Sequence, residues 1–303
     1  RVGFFGARSH EVADCSDCWL QSEPAMAAAE ALRQFMVEDH ITSYDPRWEK
    51  GLMRHMIVRT AAGTGEVMVI LVINGKAIPN AQKLVEMLDE AIYNVPVYDD
   101  GPMAGVEFSL ESVVINVNKS KNLEGPILGE ECITIAGKPT ITEEVSGMKF
   151  EISPLSFYQV NREQMVKLYD KVLEYADLKG GETVLDLYCG VGTIGLFCAR
   201  EMEKRARASA AEPGQVIGIE TIKGAVLDAN RNATINGIVN ARYVCGKAEE
   251  VLPKMMGMTE TEGSASATES GKEPAIRISQ ADVAILDPPR AGCDERLLEA
   301  VVK

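Results

Sequence analysis

Val184-Leu185-Asp186-Leu187-Tyr188-Cys189-Gly190-Val191-Gly192-Thr193-Ile194-Gly195 is the stretch that decides the fold. An apolar run of strand length stops at glycines spaced G-x-G-x-x-G, and a helical pattern follows. Glycines at that spacing let the chain turn tightly and bring its backbone against a ligand at a helix start. Far downstream, Val283-Ala284-Ile285-Leu286-Asp287-Pro288-Pro289-Arg290 also ends an apolar run at a carboxylate. Pro288 biases Asp287 to an extended backbone, and neither proline can donate a ladder hydrogen bond, so the chain leaves the sheet there. Ligands of open α/β sheets bind at the carboxyl ends of strands. Two such ends predict a cofactor and a planar substrate held side by side.

The pattern around these two stretches alternates. Strands are predicted at 183–187, 216–220, 241–245 and 281–287, with helices at 193–204 and 222–236 and another begun at Glu295. A helix from Asn161 to about Ala176 precedes them. Asn161 and Gln164 have capping-box form, the first accepting from the third helical N–H and the second reaching back. Strands alternating with helices imply a mostly parallel, doubly wound sheet. Upstream of Pro154 the order is irregular. Helices are predicted at 23–39 and 80–93, and a hairpin joins strands 52–60 and 66–73 through residues 61–65. Shorter strands are expected at 113–117, 127–128, 132–135 and 148–152. The expected organisation is therefore an α+β domain at 1–155 and an α/β domain at 156–303. Two connections read as long, 205–215 and 257–274. The second is polar and acidic and is expected to be a mobile surface insertion.

Composition bounds the rest. No apolar run approaches the ~18 residues of a membrane span, and no signal peptide opens the chain. Seven irregularly spaced cysteines do not form a disulfide framework at this length, so a reduced, cytoplasmic setting is expected. The first residue is Arg1 and Lys303 falls within a helical pattern, so the chain reads as a fragment. A net charge of -14 argues, taken alone, against a large nucleic-acid footprint, although a local basic face can still bind phosphates.

Either a dinucleotide or S-adenosylmethionine fits the glycine loop, and both want an acid at the end of the next strand for ribose hydroxyls. Glu220 of Val216-Ile217-Gly218-Ile219-Glu220 is placed for that. Asp186, just before the loop, separates the two. A pyrophosphate is repelled by a neighbouring carboxylate, whereas an ammonium and a sulfonium tolerate or welcome one.

Four segments occur in order: Ser156-Phe157-Tyr158-Gln159-Val160-Asn161, Asp186 to Thr193, Gly218-Ile219-Glu220 and Leu286-Asp287-Pro288-Pro289-Arg290-Ala291-Gly292. Together they resemble the RNA uracil-C5 methyltransferase family, of the ribosomal RNA type. The likeness extends upstream to Gly3-Phe4-Phe5, Val12 to Cys18, Gly51-Leu52-Met53-Arg54-His55 and Thr64-Gly65-Glu66-Val67-Met68, which resemble that family's central domain. The resemblance implies a Rossmann-like class I methyltransferase domain behind an α+β central domain. It implies methyl transfer from S-adenosylmethionine to carbon 5 of a uridine in RNA, ribosomal rather than transfer RNA. It carries cofactor contact to Gln159, Tyr188, Glu220 and Asp287, with Gly190 and Thr193 in the loop. The family's cysteine adds to carbon 6 of the base and a glutamate later removes the carbon 5 proton. Both are expected after Lys303, so no catalytic residue is assigned within the chain, which is expected to bind cofactor without turnover.

The remaining candidates are weaker. Cys293 follows the Asp-Pro-Pro-Arg turn and is a rival nucleophile, since a thiol at a helix entry can be activated. Cys189 and Cys245 read as small buried hydrophobes. Cys15 and Cys18 form a lone C-x-x-C with no second pair, so no metal is assigned; an iron–sulfur cluster is conceivable only in a longer parent. His10, His40 and His55 share no ligand spacing. Arg54, His55 and Arg59 on one strand, Arg290 by the turn, and Arg8 and Lys119-Ser120-Lys121 elsewhere are the candidate RNA contacts. A monomer is expected. Rival readings are a nicotinamide-dependent oxidoreductase, a non-catalytic RNA-binding protein, a transfer-RNA enzyme of the same chemistry, and an amino-methylating enzyme. Arg290 stands where the last would carry a stacking aromatic.

Overall fold

The computed structural model describes residues 2–7, 9, 11–101, 103–122, 125–257, 277–290 and 292–302. Beyond Gly257, the insertion expected at 257–274 lies outside the described residues, as do Arg8 and His10. The chain divides into two compact units, Arg1–Leu155 and Ser156–Lys303.

The first unit opens with a small antiparallel pair, β1 (Gly3–Phe5) and β2 (Val12–Asp14). Helix α1 (Glu23–Glu38) starts with Pro24, where the missing N–H would have had no partner. Strands β3 (Met53–Thr60) and β4 (Glu66–Ile73) form the expected hairpin. The chain then crosses through α2 (Ala81–Tyr93) to β5 (Ser109–Val117), parallel to β4. Strand β6 (Glu131–Gly137) returns antiparallel, giving the order β3-β4-β5-β6. Strand β7 (Ile141–Val145) pairs with β8 (Met148–Ile152) as a separate hairpin. Val67, Val69, Leu71 and Ile73 of β4 pack with Leu32 and Phe35 of α1 and Leu84, Leu88 and Ile92 of α2. Met68, Ile70 and Val72, on the opposite face of β4, are also fully buried. A strand buried on both faces reads as a continuous apolar run, which is how β4 appears in the sequence.

Residues 127–128 are not a strand. Two buried asparagines on and just after β5 hold this segment instead. Asn118 Nδ2 donates to the carbonyls of Pro126 and Ile127, and Asn116 both donates to Gly129 O and accepts from Gly129 N. Side chains thus take the backbone groups that a ladder would have taken.

The second unit begins with α3 (Arg162–Ala176), whose N-cap Asn161 accepts from Gln164 N at 3.1 Å. Strand β9 (Thr183–Leu187), helix α4 (Thr193–Ser209), strand β10 (Gln215–Glu220), helix α5 (Lys223–Ile235) and strand β11 (Ala241–Cys245) follow. Helix α4 runs further than its sequence pattern suggests, so the connection expected at 205–215 is short. Helix α6 (Ala248–Met255), strand β12 (Val283–Leu286) and helix α7 (Glu295–Val302) complete the order. All pairings are parallel and the sheet order is β11-β10-β9-β12. The chain steps outward from β9 to β11, then returns to the other side of β9. The reversal between β9 and β12 is a topological switch point, where an α/β sheet opens a crevice at its carboxyl edge. Among the described residues, no helix is long and apolar enough to cross a membrane.

Candidate functional site

The two stretches that stood apart in the sequence are neighbours in the sheet. Leu187 at the end of β9 pairs with Leu286 at the end of β12, and Asp287 N donates to Leu187 O at 3.3 Å. A cleft opens beyond these ends. Residues 157–159 line one side, the loop at 188–194 another, and Asp186, Tyr169 and Asp287 complete it. The structure thus brings together Gln159, Tyr188, Gly190, Thr193 and Asp287. Glu220 is joined to the same loop, its Oε2 accepting from Gly190 N at 3.1 Å.

The loop is built by sterics as much as by hydrogen bonds. Gly192 has φ +80°, and a Cβ there would lie 2.6 Å from the Tyr243 ring, whose hydroxyl donates to Gly192 O at 3.1 Å. At Gly195 a Cβ would lie 2.8 Å from Asp186 Oδ2. That oxygen accepts from Gly195 N at 2.9 Å, so Asp186 caps the first turn of α4 from the neighbouring strand. Tyr188 also sits at positive φ, +66°, while its N–H still donates to Ile219 O in the manner of a strand.

Asp186 is fully buried. Burial pushes its carboxyl up to about 7; the Gly195 amide opposes this, and Asp287 and Glu220 reinforce it. None of the side chains lining the cleft is Lys or Arg. Asp186 and Asp287 thus line the cleft and Glu220 holds its loop, with no cation in the wall among the described residues, and the field favours a positively charged ligand over a pyrophosphate.

Other groups hold this frame. Glu220 Oε1 accepts from Ile222 N at 2.9 Å and from the Thr221 hydroxyl at 3.1 Å, fixing the carboxylate across the turn after β10. Thr193 Oγ1 bonds the Tyr169 hydroxyl at 2.8 Å. Asn232 of α5 donates to Val191 O at 3.2 Å. Buried Asp228 of α5 accepts from Ser156 at the start of the segment bearing Gln159, and from Arg231 at 3.0 Å. Tyr188 is more than an apolar wall: its hydroxyl donates to Glu249 of α6 at 2.7 Å. Sequence reading missed Tyr169, Asp228, Asn232, Tyr243 and Glu249, because each acts across the fold rather than along it. Helix α6 did leave a signal in Ala248, Leu252 and Met255, at helical spacing.

Cysteines and candidate RNA contacts divide. Cys189 is buried and its thiol is pushed well above the usual range by burial. Cys245 is exposed, since the last residue of an edge strand turns outward there; the expectation of a buried hydrophobe is corrected. Cys293 is half-buried beside the Tyr188 phenol. Cys15 and Cys18 are free, and no group of three or more metal-ligating side chains is assembled among the described residues. Arg290 is exposed on the turn after β12. Arg59 is drawn inward, donating to Pro154 O at 3.1 Å, with its pKa lowered by burial. His55 packs edge-on against Phe5, and burial, then the Arg54 charge, lower its pKa.

The sequence model described as tRNA (Uracil-5-)-methyltransferase matches residues 138–303. An RNA methyltransferase of Caldanaerobacter subterraneus subsp. tengcongensis, itself described as uncharacterized, is 39% identical over 301 residues, covering 99% of this chain and 56% of its own. One from Clostridium tetani is 35% identical, covering 100% and 55%. The chain thus spans about half the length of the curated relatives it matches. Among solved structures, the Pyrococcus abyssi tRNA (uracil-54, C5)-methyltransferase in complex with S-adenosyl-L-homocysteine is similar, with a TM-score of 0.66 and 26% identity over 96% of this chain and 57% of that one.

Proposed function

We propose, because the chain belongs to the tRNA (uracil-5-)-methyltransferase family, that the protein of which it is part methylates carbon 5 of a uridine in RNA with S-adenosylmethionine. The observation that carries this reading is the cleft at the switch point, lined by Asp186 and Asp287 and, among the described residues, by no basic side chain. S-adenosylmethionine supplies an electrophilic methyl group on a positive sulfur. A site whose carboxylates face that charge favours it over the neutral thioether left behind.

The residues present fit such a group. Glu220 is held by Gly190 N and Ile222 N and keeps lone pairs for the two ribose hydroxyls. Gln159 offers a donor and an acceptor to the amino acid end. Gly190 and Thr193 shape the loop against it, and the Tyr188 ring is held at the cleft by Glu249. Asp287, at the end of β12, borders the space where cofactor and base would meet. Carbon 5 of uracil is a poor nucleophile, so a thiolate adding at carbon 6 is part of the proposal. Cys189 does not suit that role, because burial keeps its thiol protonated.

Calorimetry of this chain with S-adenosylmethionine and with NAD is the first test. Binding of the first alone is expected, and Glu220→Ala should weaken it at least about tenfold, the loss of one charge-assisted hydrogen-bond group. Tight NAD binding with none of S-adenosylmethionine overturns the reading. For the whole protein, tritium release from RNA labelled at uridine carbon 5 reports the position of attack. Ribosomal RNA is the proposed acceptor. A transfer-RNA acceptor is the second reading, favoured by the solved relative that acts on uracil-54 of tRNA. Parallel assays with the two RNAs decide between them.

A further inference from the structure

We propose that the first unit carries a docking patch for single-stranded RNA, formed where the 44–54 turn meets the 118–122 loop. This rests on the reading that the partner is RNA. In the sequence, Arg54 and Lys119-Ser120-Lys121 are far apart, and the fold joins them. Tyr44 N donates to Met53 O at 2.7 Å, and Asp45 bridges Lys50, closing a tight turn that projects Arg47, Trp48, Glu49 and Lys50. Arg54 Nη1 donates to Ser120 O at 2.9 Å, and Lys121 Nζ reaches Glu49 at 2.5 Å, so the two segments are tied at two points.

The chemistry of this surface differs from the rest of the chain. Five cations gather here, in a chain of 45 acids and 31 bases: among the described residues Arg47 is paired with Asp45 at 2.7 Å and also feels Glu11, Lys121 is paired with Glu49, and Lys50, Arg54 and Lys119 are the cations outside those ion pairs. Two aromatics lie among these cations. Trp48 is 73% exposed, so its indole face is accessible for stacking. The Arg54 guanidinium lies 4.1 Å from the Tyr44 ring centroid, so this pair is preorganised as a flat cationic platform. Cations that track a backbone, interleaved with aromatics that stack on bases, are the requirements for holding an unpaired strand. Duplexes offer no exposed base face to Trp48, and an acidic protein would use the cations but not the stacking.

Fluorescence anisotropy of the 303-residue chain with a labelled, unstructured RNA of about 20 nucleotides, long enough to cover such a patch, tests this over a salt series. Trp48→Ala is expected to weaken binding on the order of tenfold with an unchanged salt slope, because stacking releases no counterions. Lys50→Ala with Lys119→Ala is expected to flatten the slope of log affinity against log salt by about 1.4, roughly 0.7 for each of two phosphate contacts. All three side chains are exposed, so the fold is expected to survive, and far-UV circular dichroism checks it. Wild-type affinity in both variants overturns the patch. So does loss of heparin binding in step with RNA binding in Trp48→Ala, which would mark a general polyanion surface. Methyl transfer by the whole protein is assayed separately. Its absence on every RNA would sink the proposed function, and its persistence beside unaffected RNA binding in the variants would sink the patch alone.

Discussion

Gly192 and Ser112 show how single side chains set the energetics of the two units. At Gly192 two constraints coincide, a φ of +80° and the Tyr243 ring where a Cβ would stand. Gly192→Ala is therefore expected to cost at least about 2 kcal/mol, since strain and overlap add, and urea denaturation measures it. Ser112 on β5 presents the opposite case. Its hydroxyl is buried without a partner among the described residues. Ser112→Ala is expected to raise stability by about 1 kcal/mol by removing a desolvated donor that forms no bond, read as a higher urea midpoint at unchanged m. Asp186 was legible in the sequence as a carboxylate beside the loop. Its capping of α4 was not, because that bond joins a strand to a helix start across a gap no local pattern records.

At the scale of elements, the segment carrying Gln159 is anchored by α5. Ser156 donates to Asp228, which is buried and also paired with Arg231. Asp228→Asn retains the volume but weakens both contacts. It is expected to weaken S-adenosylmethionine binding several-fold through a looser Gln159, while the selectivity over NAD set by Asp186 beside the loop persists; calorimetry on the folded variant reads both. Strands β4, β8, β9 and β11 matched their patterns to the residue, because apolar runs with clear breakers are local signals. The apolar pair at 127–128 resembles a short strand in the sequence, but the segment is held by asparagine side chains on and just after β5. Strand β7, with Thr142, Glu143 and Glu144 at its centre, was missed for a related reason. Buried Glu143 is inward because it accepts from Ala62 N and Gly63 N, fastening the turn between β3 and β4.

Across the whole molecule, Asp186 couples the site to stability. Its folded pKa of about 7 lies above the unfolded value of 3.8, so the folded state holds the extra proton between them. Its contribution is thus fully present below about pH 4, falls as pH rises, and levels off above 7. A rise from 3.8 to about 7 corresponds to about 4 kcal/mol as an upper bound. Urea midpoints measured from pH 5 to 8 should therefore decline in the wild type relative to Asp186→Asn, and parallel curves would rule this out. The sequence by itself determined the alternation of strands and helices, the glycine loop, the acid at the end of β10 and the family they resemble. These are short-range signals, written as spacing along the chain. Only the tertiary structure decided that β9 and β12 are adjacent, that Asp186, Glu220 and Asp287 act on one another, and that Arg54 meets the loop of Lys119 and Lys121 while Arg59 turns inward. Adjacency in a sheet and burial of a charge depend on which distant segments pack together, and no local pattern encodes that choice.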